Sequence, residues 1–154
     1  MTRMLAVLLL LVAGGALAVE DGPVQAPAEP AATPPIGSPQ SRYNDGRAFA
    51  QGHDWPAAER AYRDATRLDP AFPEAWNGLG YALRRQGKYD ESVRAYHEAL
   101  RLRPRYPQAL EYLGEAYVQM GRLSEAKAIL ARLRPLDPRE ADELAAAIAR
   151  AERR

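Results

Sequence analysis

The sequence predicts an all-α protein built from tandem helix pairs, and three observations lead to that prediction. Several columns of residues recur every 34 positions, each unit carries apolar stripes with helical spacing, and a proline closes each unit. The recurring glycines are Gly46, Gly80 and Gly114, and the closing prolines are Pro70, Pro104 and Pro138. Because independent columns share one spacing, we interpret residues 39–72, 73–106 and 107–140 as three repeats.

The middle repeat shows how each unit forms two helices. Trp76, Leu79 and Leu83 fall at i, i+3 and i+7, which is an apolar stripe with the period of a helix. Gly87 suits the left-handed residue that ends a helix, and we expect Asp90 to cap the second helix. Each repeat is therefore predicted to be a helix, a tight turn and a second helix.

Small residues mark the places where the two helices of a unit approach closely. We expect Gly80 to face Ser92 and Ala99 of the second helix, and Gly114 to face the same columns one repeat later. A larger side chain at either glycine would force the pair of helices apart.

The last 14 residues, 141–154, are predicted to form a capping helix. Leu144, Ala147, Ile148 and Ala151 make one apolar stripe, and the other positions are largely charged or small. Repeat arrays need a terminal element with a polar outer face to cover the last core surface.

The N-terminal residues have the features of an export signal. Arg3 precedes an apolar run from Met4, and Ala16-Leu17-Ala18 forms an A-x-A site. The run is shorter than the roughly 20 residues that a membrane span needs, so we expect residues 1–18 to be a cleaved signal peptide rather than an anchor. Residues 19–38 are rich in proline and predict a flexible, partly polyproline-like linker. Membrane contact is expected only if the signal stays uncleaved.

Composition narrows the function classes. The net charge of +1 argues against a nucleic-acid partner, and the absence of Cys excludes disulfides and thiolate metal sites. His53 and His97 stand alone, without further ligands at metal-binding spacing, and no catalytic or cofactor motif is present. We therefore predict no enzyme activity, no cofactor and no metal.

The middle unit resembles the tetratricopeptide repeat. The run Trp76-Asn77-Gly78-Leu79-Gly80, followed by Ser92, Tyr96, Ala99 and Pro104, fits the pattern W-x2-L-G-x2-Y…A-x3-F…P of that family. The resemblance implies a right-handed α-solenoid whose first helices line a concave groove. The first unit departs from the pattern at Arg42 and Asp45, where the family places apolar residues, and we expect its start, near residues 38–44, to fray.

The resemblance also implies which residues line the groove. These are Gln40, Tyr43 and Arg47 in the first unit, Asn77, Tyr81 and Arg84 in the second, and Gln108, Glu111 and Glu115 in the third. Tyr and Arg are frequent binding anchors, although an ordinary solvated surface would have the same pattern. Some family members hold a peptide carboxylate with a Lys/Asn/Lys/Arg clamp. The matching positions here, Tyr43, Arg47, Gly78, Gln108 and Tyr112, lack those side chains as a set, which argues against that mode of binding.

These observations favour a non-catalytic module that binds a segment of a partner protein in its groove, in the assembly of an envelope complex. Nineteen of the 21 basic residues are Arg, which is typical of GC-rich bacterial genomes. We therefore expect a periplasmic or secreted location and favour the periplasm over a eukaryotic secretory route. The alternatives are a self-associating structural repeat protein, and a glycan-binding or enzyme-accessory protein.

Overall fold

The computed structural model describes residues 37–153. This part of the chain consists of seven helices and no strands. The helices are α1 (Pro39–Gln51), α2 (Trp55–Leu68), α3 (Pro73–Arg85), α4 (Tyr89–Leu102), α5 (Pro107–Gln119), α6 (Leu123–Leu133) and α7 (Pro138–Glu152). The prediction of an all-α repeat solenoid is confirmed. The predicted signal peptide, 1–18, and residues 19–36 of the predicted linker lie outside the described residues.

Side-chain caps mark the starts of α1, α2 and α7, and the helix starts depart from the prediction in two places. The Asp137 side chain accepts a hydrogen bond from the Glu140 N–H at 3.1 Å, so α7 begins at Pro138, three residues before the boundary drawn from the sequence. The prediction that Asp90 caps α4 is wrong, because the cap residue is Lys88. Asp90 lies instead within the first turn, where its charge favours the positive end of the helix dipole.

The expected fraying of the first helix is wrong as well. The Ser38 hydroxyl accepts a hydrogen bond from the Ser41 N–H at 3.1 Å, and Pro39 provides a backbone already suited to the first turn. Arg42 and Asp45, which replace apolar residues of the pattern, form an ion pair at 3.5 Å on the outer surface of α1. The helix is therefore regular from its first residue.

The turn inside each unit contains one residue in the left-handed region. Gly87 has φ of +75° and Gly121 has φ of +72°, as expected for residues that end a helix. The first unit has His53 at this position, with φ of +60°. A residue with a side chain is strained in this conformation, whereas glycine is not. The three turns therefore have the same backbone shape, but only the turn with His53 is strained.

The helices pack in sequential pairs, and each pair covers the next. A Cβ atom at Gly80 would lie 2.6 Å from a ring carbon of Tyr96, and the Ser92 hydroxyl donates to the Gly80 carbonyl at 2.8 Å. The close contact of α3 with α4 is thus confirmed, although Tyr96 is its nearest side chain. Gly114 instead meets Leu144, because α7 packs on α5 as well as on α6.

The array is closed at its C-terminal end by α7. Its buried residues Ala141, Leu144 and Ile148 belong to a core cluster that runs from α4 to α7. A smaller cluster joins α2, α3 and α4 around Tyr62 and Leu83. None of the described helices is both long and apolar enough to cross a membrane.

Candidate functional site

The first helices of the three units line a concave cleft of about 350 Å³. The turn and second helix of the first unit form one end of it. Its lining consists of aromatic, polar and charged side chains, namely Tyr43, Arg47, Gln51, His53, Trp55, Tyr62, Glu74, Asn77, Tyr81, Gln108 and Tyr112, together with Ala50 and Gly78. We call this cleft the groove.

A series of aromatic rings crosses the groove from one repeat to the next. The ring centroid of Tyr81 lies 5.6 Å from that of Trp55 and 5.1 Å from that of Tyr112. At the N-terminal side, Tyr43 packs on Phe72 with centroids 5.0 Å apart. The rings are partly exposed, so they offer apolar surface to a bound chain.

Two adjacent arginines on α3, Arg84 and Arg85, contact different pairs of rings in this aromatic series. The guanidinium of Arg85 lies 4.5 Å from the Trp55 ring centroid and donates a hydrogen bond to the Tyr81 hydroxyl at 3.2 Å. The guanidinium of Arg84 lies 5.5 Å from the ring centroids of both Tyr81 and Tyr112. These cation–π contacts hold the tyrosines in place.

Arg84 belongs to the floor of the groove rather than to its accessible surface. Its side chain is only 9% exposed and forms an ion pair with Glu115 on α5 at 2.8 Å. Burial lowers the pKa of Arg84, but the nearby Tyr96 and Glu115 outweigh that effect and raise it. Arg84 therefore connects two repeats, and a partner segment would contact it only at its edge.

Asn77 is also buried, at 5% exposure. Its side-chain amide donates to Gln108 Oε1 at 3.2 Å, and the Gln108 amide donates to the Tyr112 hydroxyl at 3.3 Å. This polar chain links α3 to α5. Of the residues proposed from the sequence, Tyr43, Arg47, Asn77, Tyr81 and Gln108 line the cleft, whereas Gln40, Arg84, Glu111 and Glu115 do not.

The third repeat supplies an acidic end to the groove helices. Glu111 is half-buried on α5 and forms no hydrogen bond or ion pair with another described residue. Burial, followed by the repulsion of the neighbouring carboxylates of Glu140, Glu115 and Glu143, raises the pKa of its carboxyl to about 7, because the opposing effect of Arg84 is smaller. The group therefore titrates near neutral pH.

Arg47, which lines the groove, and Arg85, which lies over the Trp55 ring beside it, make the first-repeat end cationic. Arg47 is exposed on α1 and its guanidinium lies 6.0 Å from the Tyr43 ring centroid. Neither arginine forms an ion pair with another described residue, whereas Glu74 of the groove lining forms one with Arg103. The free positive charges thus lie near the first repeat and the unpaired carboxyl near the third.

Six lining residues were not predicted from the sequence, namely Ala50, Gln51, His53, Trp55, Tyr62 and Glu74. Glu74 lies 34 residues before Gln108, so the repeat spacing alone could have identified it. Trp55 begins the second helix of its unit, and only the folded turn brings it beside Tyr81. The described residues contain no cluster of three or more possible metal ligands.

Comparison with known proteins establishes the family. Two family models match the chain, over residues 43–93 and 83–151, and both describe the tetratricopeptide repeat. The chain belongs to the tetratricopeptide repeat family. No curated protein sequence is similar enough to count as a match.

Solved structures with the same fold include domains that were determined with peptides. The TPR2B domain of yeast Sti1, in an Hsp70 complex, has a TM-score of 0.70 at 19% identity, covering 73% of this chain and 96% of that one. The first TPR of Spaghetti, bound to the HSP90 peptide SRMEEVD, has a TM-score of 0.71 at 22% identity, covering 76% and 94%. The Yersinia enterocolitica secretion chaperone SycD, with a peptide of the translocator YopD, has a TM-score of 0.68 at 18% identity, covering 73% and 91%. At these identities the likeness shows the fold alone.

Proposed function

We propose that this chain is an exported, non-catalytic interaction module that binds an extended or helical segment of another protein in its groove. The observation that carries the proposal is the series of partly exposed rings, Trp55, Tyr81 and Tyr112, which spans all three repeats. Rigid aromatic side chains are the most frequent anchors of protein interfaces, and they lose little entropy on binding.

The solved relatives support the proposal. The Spaghetti domain holds a peptide of HSP90, and SycD holds a peptide of YopD. Both are proteins of the same fold that take a segment of a partner. The groove of this chain lacks the Lys/Asn/Lys/Arg set of a carboxylate clamp, so its partner should be recognised along the segment and not through a terminal carboxylate alone.

Charges in the groove and beside it give the bound segment a direction. Arg47 and Arg85 lie near the first repeat and Glu111 lies near the third. A segment whose acidic residues face the arginines and whose basic residues face Glu111 is attracted electrostatically at both ends. The reversed segment is repelled at both ends. Such complementarity contributes more to specificity and orientation than to affinity.

The N-terminal sequence supports the export part of the proposal. A charged start, an apolar run and the Ala16-Leu17-Ala18 site support export into the periplasm, where the module would serve in the assembly of an envelope complex. Mass spectrometry of the protein from its natural host tests the export step. The expected mature N-terminus is Val19, and an intact Met1 on a membrane-bound chain would contradict it.

Binding is tested with a displayed library of random peptides, selected on the chain from Val19 onward. The sequence has two tryptophans, so Trp76→Phe leaves Trp55 as the only tryptophan, and it lies in the groove. Selected peptides should change Trp55 fluorescence in a saturable titration.

A pair of arginine variants locates the bound peptide. Arg47→Glu should weaken binding of peptides that carry acidic residues, whereas Arg67→Glu should not, because Arg67 is exposed on α2 away from the groove. If no selected peptide affects Trp55, or if both variants behave alike, the groove is not the binding site.

A further inference from the structure

Among the described residues, only two large hydrophobic side chains are exposed. Phe49 at the end of α1 and Leu68 at the end of α2 are each 43% exposed. Isolated exposed apolar residues are common, so exposure alone means little. The surroundings of Phe49 indicate a contact surface, whereas those of Leu68 do not.

Phe49 occupies a repeat column whose other members are buried. Leu83 and Tyr117 follow it at intervals of 34 residues and are 1% and 6% exposed. The helices α3 and α5 that carry them each have a preceding unit to pack against. At the other end of the array, α7 covers the last pair. The column at Phe49 therefore keeps its hydrophobic residue at the end of the array that no described helix covers.

Phe49 lies beside a crease of about 260 Å³ between α1 and α2. Ala57 and Ala61 form its floor, and four charged residues surround it. These are Arg42, Asp45, Arg60 and Asp64. The seven residues, which we call the N-terminal face, carry two positive and two negative charges around an apolar centre.

We propose that the N-terminal face pairs with the same face of a second copy of this chain, about a two-fold axis. In such a pair each patch meets its own copy, so residue i contacts residue j and j contacts i. With the two α2 helices antiparallel and crossing near the level of Tyr62, Arg60 of one copy lies opposite Asp64 of the other. Each copy thus supplies both halves of two equivalent ion pairs.

The existing contacts of these charges favour the pairing. Arg60 forms no ion pair with another described residue, and the only one that Asp64 forms is with Arg67, whose side chain is 72% exposed. Balanced charges around an apolar centre suit a second copy better than a strongly charged partner, which would leave half of them facing a like charge. The Phe49 side chain would become buried from solvent at the middle of the contact.

The pairing leaves the groove open. Arg42, Asp45 and Phe49 fall at i, i+3 and i+7 on one side of α1, whereas Tyr43 and Arg47 lie on another side of the same helix. A dimer would carry two grooves, and a partner with two matching segments would bind it with increased avidity. The pairing does not depend on the proposed function of the groove.

Sedimentation velocity of the chain from Val19 onward, over a range of concentrations, tests the proposal. We expect a reversible monomer–dimer equilibrium. Phe49→Ser should raise the dimer dissociation constant by about tenfold or more, since it removes the central apolar contact. Leu68→Ser is the matched control, equally exposed but outside the face, and should leave the constant unchanged.

A charge exchange tests the two-fold geometry itself. Arg60→Asp and Asp64→Arg should each weaken the dimer, and the double variant should restore it, because the pair is then re-formed with opposite polarity. A chain that stays monomeric at every concentration overturns the proposal. A dimer that survives Phe49→Ser, or that the double variant fails to restore, also overturns it.

Discussion

Arg84 on α3 forms an ion pair with Glu115 on α5 across the floor of the groove, with 2.8 Å between Nη1 and Oε2. The pair lies under the rings of Tyr81 and Tyr112 and joins the second repeat to the third. Sequence reasoning placed both residues among the accessible groove anchors. The structure gives Arg84 a role in stability instead, because its side chain is almost completely buried.

Arg84→Ala should therefore destabilise the fold by about 2 kcal/mol, since it leaves the Glu115 carboxylate beside Glu111 without its cation. Urea unfolding followed by circular dichroism measures this change. Arg85→Ala is the natural control, because Arg85 is exposed and lies on rings at the surface. Equal stability of the two variants would contradict the structural role of Arg84.

Gly80 is expected to tolerate no side chain. A Cβ atom there would lie 2.6 Å from the Tyr96 ring, which is fully buried. Gly80→Ala should cost about 2 kcal/mol of unfolding free energy through overpacking. Gly52→Ala is the control, since its Cβ would meet its nearest neighbour at an ordinary 3.5 Å. A thermal midpoint of Gly80→Ala equal to that of the control would show that the helices are farther apart than described.

The left-handed turn of the first repeat predicts a stabilising substitution. His53 has φ of +60°, where Gly87 and Gly121 occupy the same position of the other repeats. His53→Gly should raise stability by about 0.5 kcal/mol, because relief of strain is partly offset by the greater freedom of the unfolded chain and by loss of the contact with Trp55. The reverse change, Gly87→His, should destabilise by about 1 kcal/mol. Thermal unfolding of both variants tests the sign, and a loss of stability in His53→Gly would refute the strain.

The repeat architecture could be predicted from the sequence because it depends on columns. Each set of residues spaced by 34 positions indicates a helix face, a turn or a helix end, and the sets are consistent with one another. The three pairs and the order of their helices followed directly. Departures occurred at single residues such as Ser38 and Asp137, whose caps depend on one hydrogen bond rather than on a column.

The groove was less predictable, for a physical reason. Periodicity assigns a residue to a face of its own helix, but burial depends on which neighbour covers that face. Asn77 and Arg84 lie on the predicted face and are nevertheless covered, by Gln108 and by two tyrosines respectively. Trp55 belongs to a second helix and reaches the groove through the bend of the turn. Such contacts between helices cannot be predicted from the spacing of residues in the sequence.

Glu111 predicts a dependence of stability on pH. Burial and the neighbouring carboxylates raise the pKa of its carboxyl from 4.5 to about 7 in the folded chain. Between these values the folded chain holds a proton that the unfolded chain has released, so the free energy of unfolding falls as pH rises from 4.5 to 7. Glu111→Gln should remove this fall.

At pH 8, Glu111→Gln should increase the free energy of unfolding by about 1 kcal/mol or less. The carboxyl is half-exposed, so solvent screens its repulsion by the neighbouring carboxylates. Thermal midpoints of the two proteins, measured from pH 4.5 to 8, provide the comparison. They should nearly coincide at the acid end and separate as pH rises. Parallel curves over the whole range would mean that Glu111 titrates normally.

Tyr81 is the residue on which we expect binding to depend most. It lies at the centre of the groove, in contact with Trp55 and Tyr112 and hydrogen-bonded to Arg85. Central anchors that lose water completely dominate interfaces, so Tyr81→Ala should weaken binding of a selected peptide by about 2 kcal/mol. Tyr81→Phe keeps the ring and should weaken it by much less. Titration of Trp55 fluorescence measures both.

A second arginine variant separates a local effect at Tyr81 from a general loss of binding. Arg101 is exposed at the end of α4, bonded only to Glu98, so Arg101→Ala should leave the affinity unchanged. Arg103 is unsuitable as a control, because it is bonded to Glu74 in the groove lining. If Tyr81→Ala binds as tightly as the unaltered chain while Arg101→Ala does not, the binding surface lies on the second helices. The helix pairs would remain as described, and the aromatic series would then serve only to pack one repeat against the next.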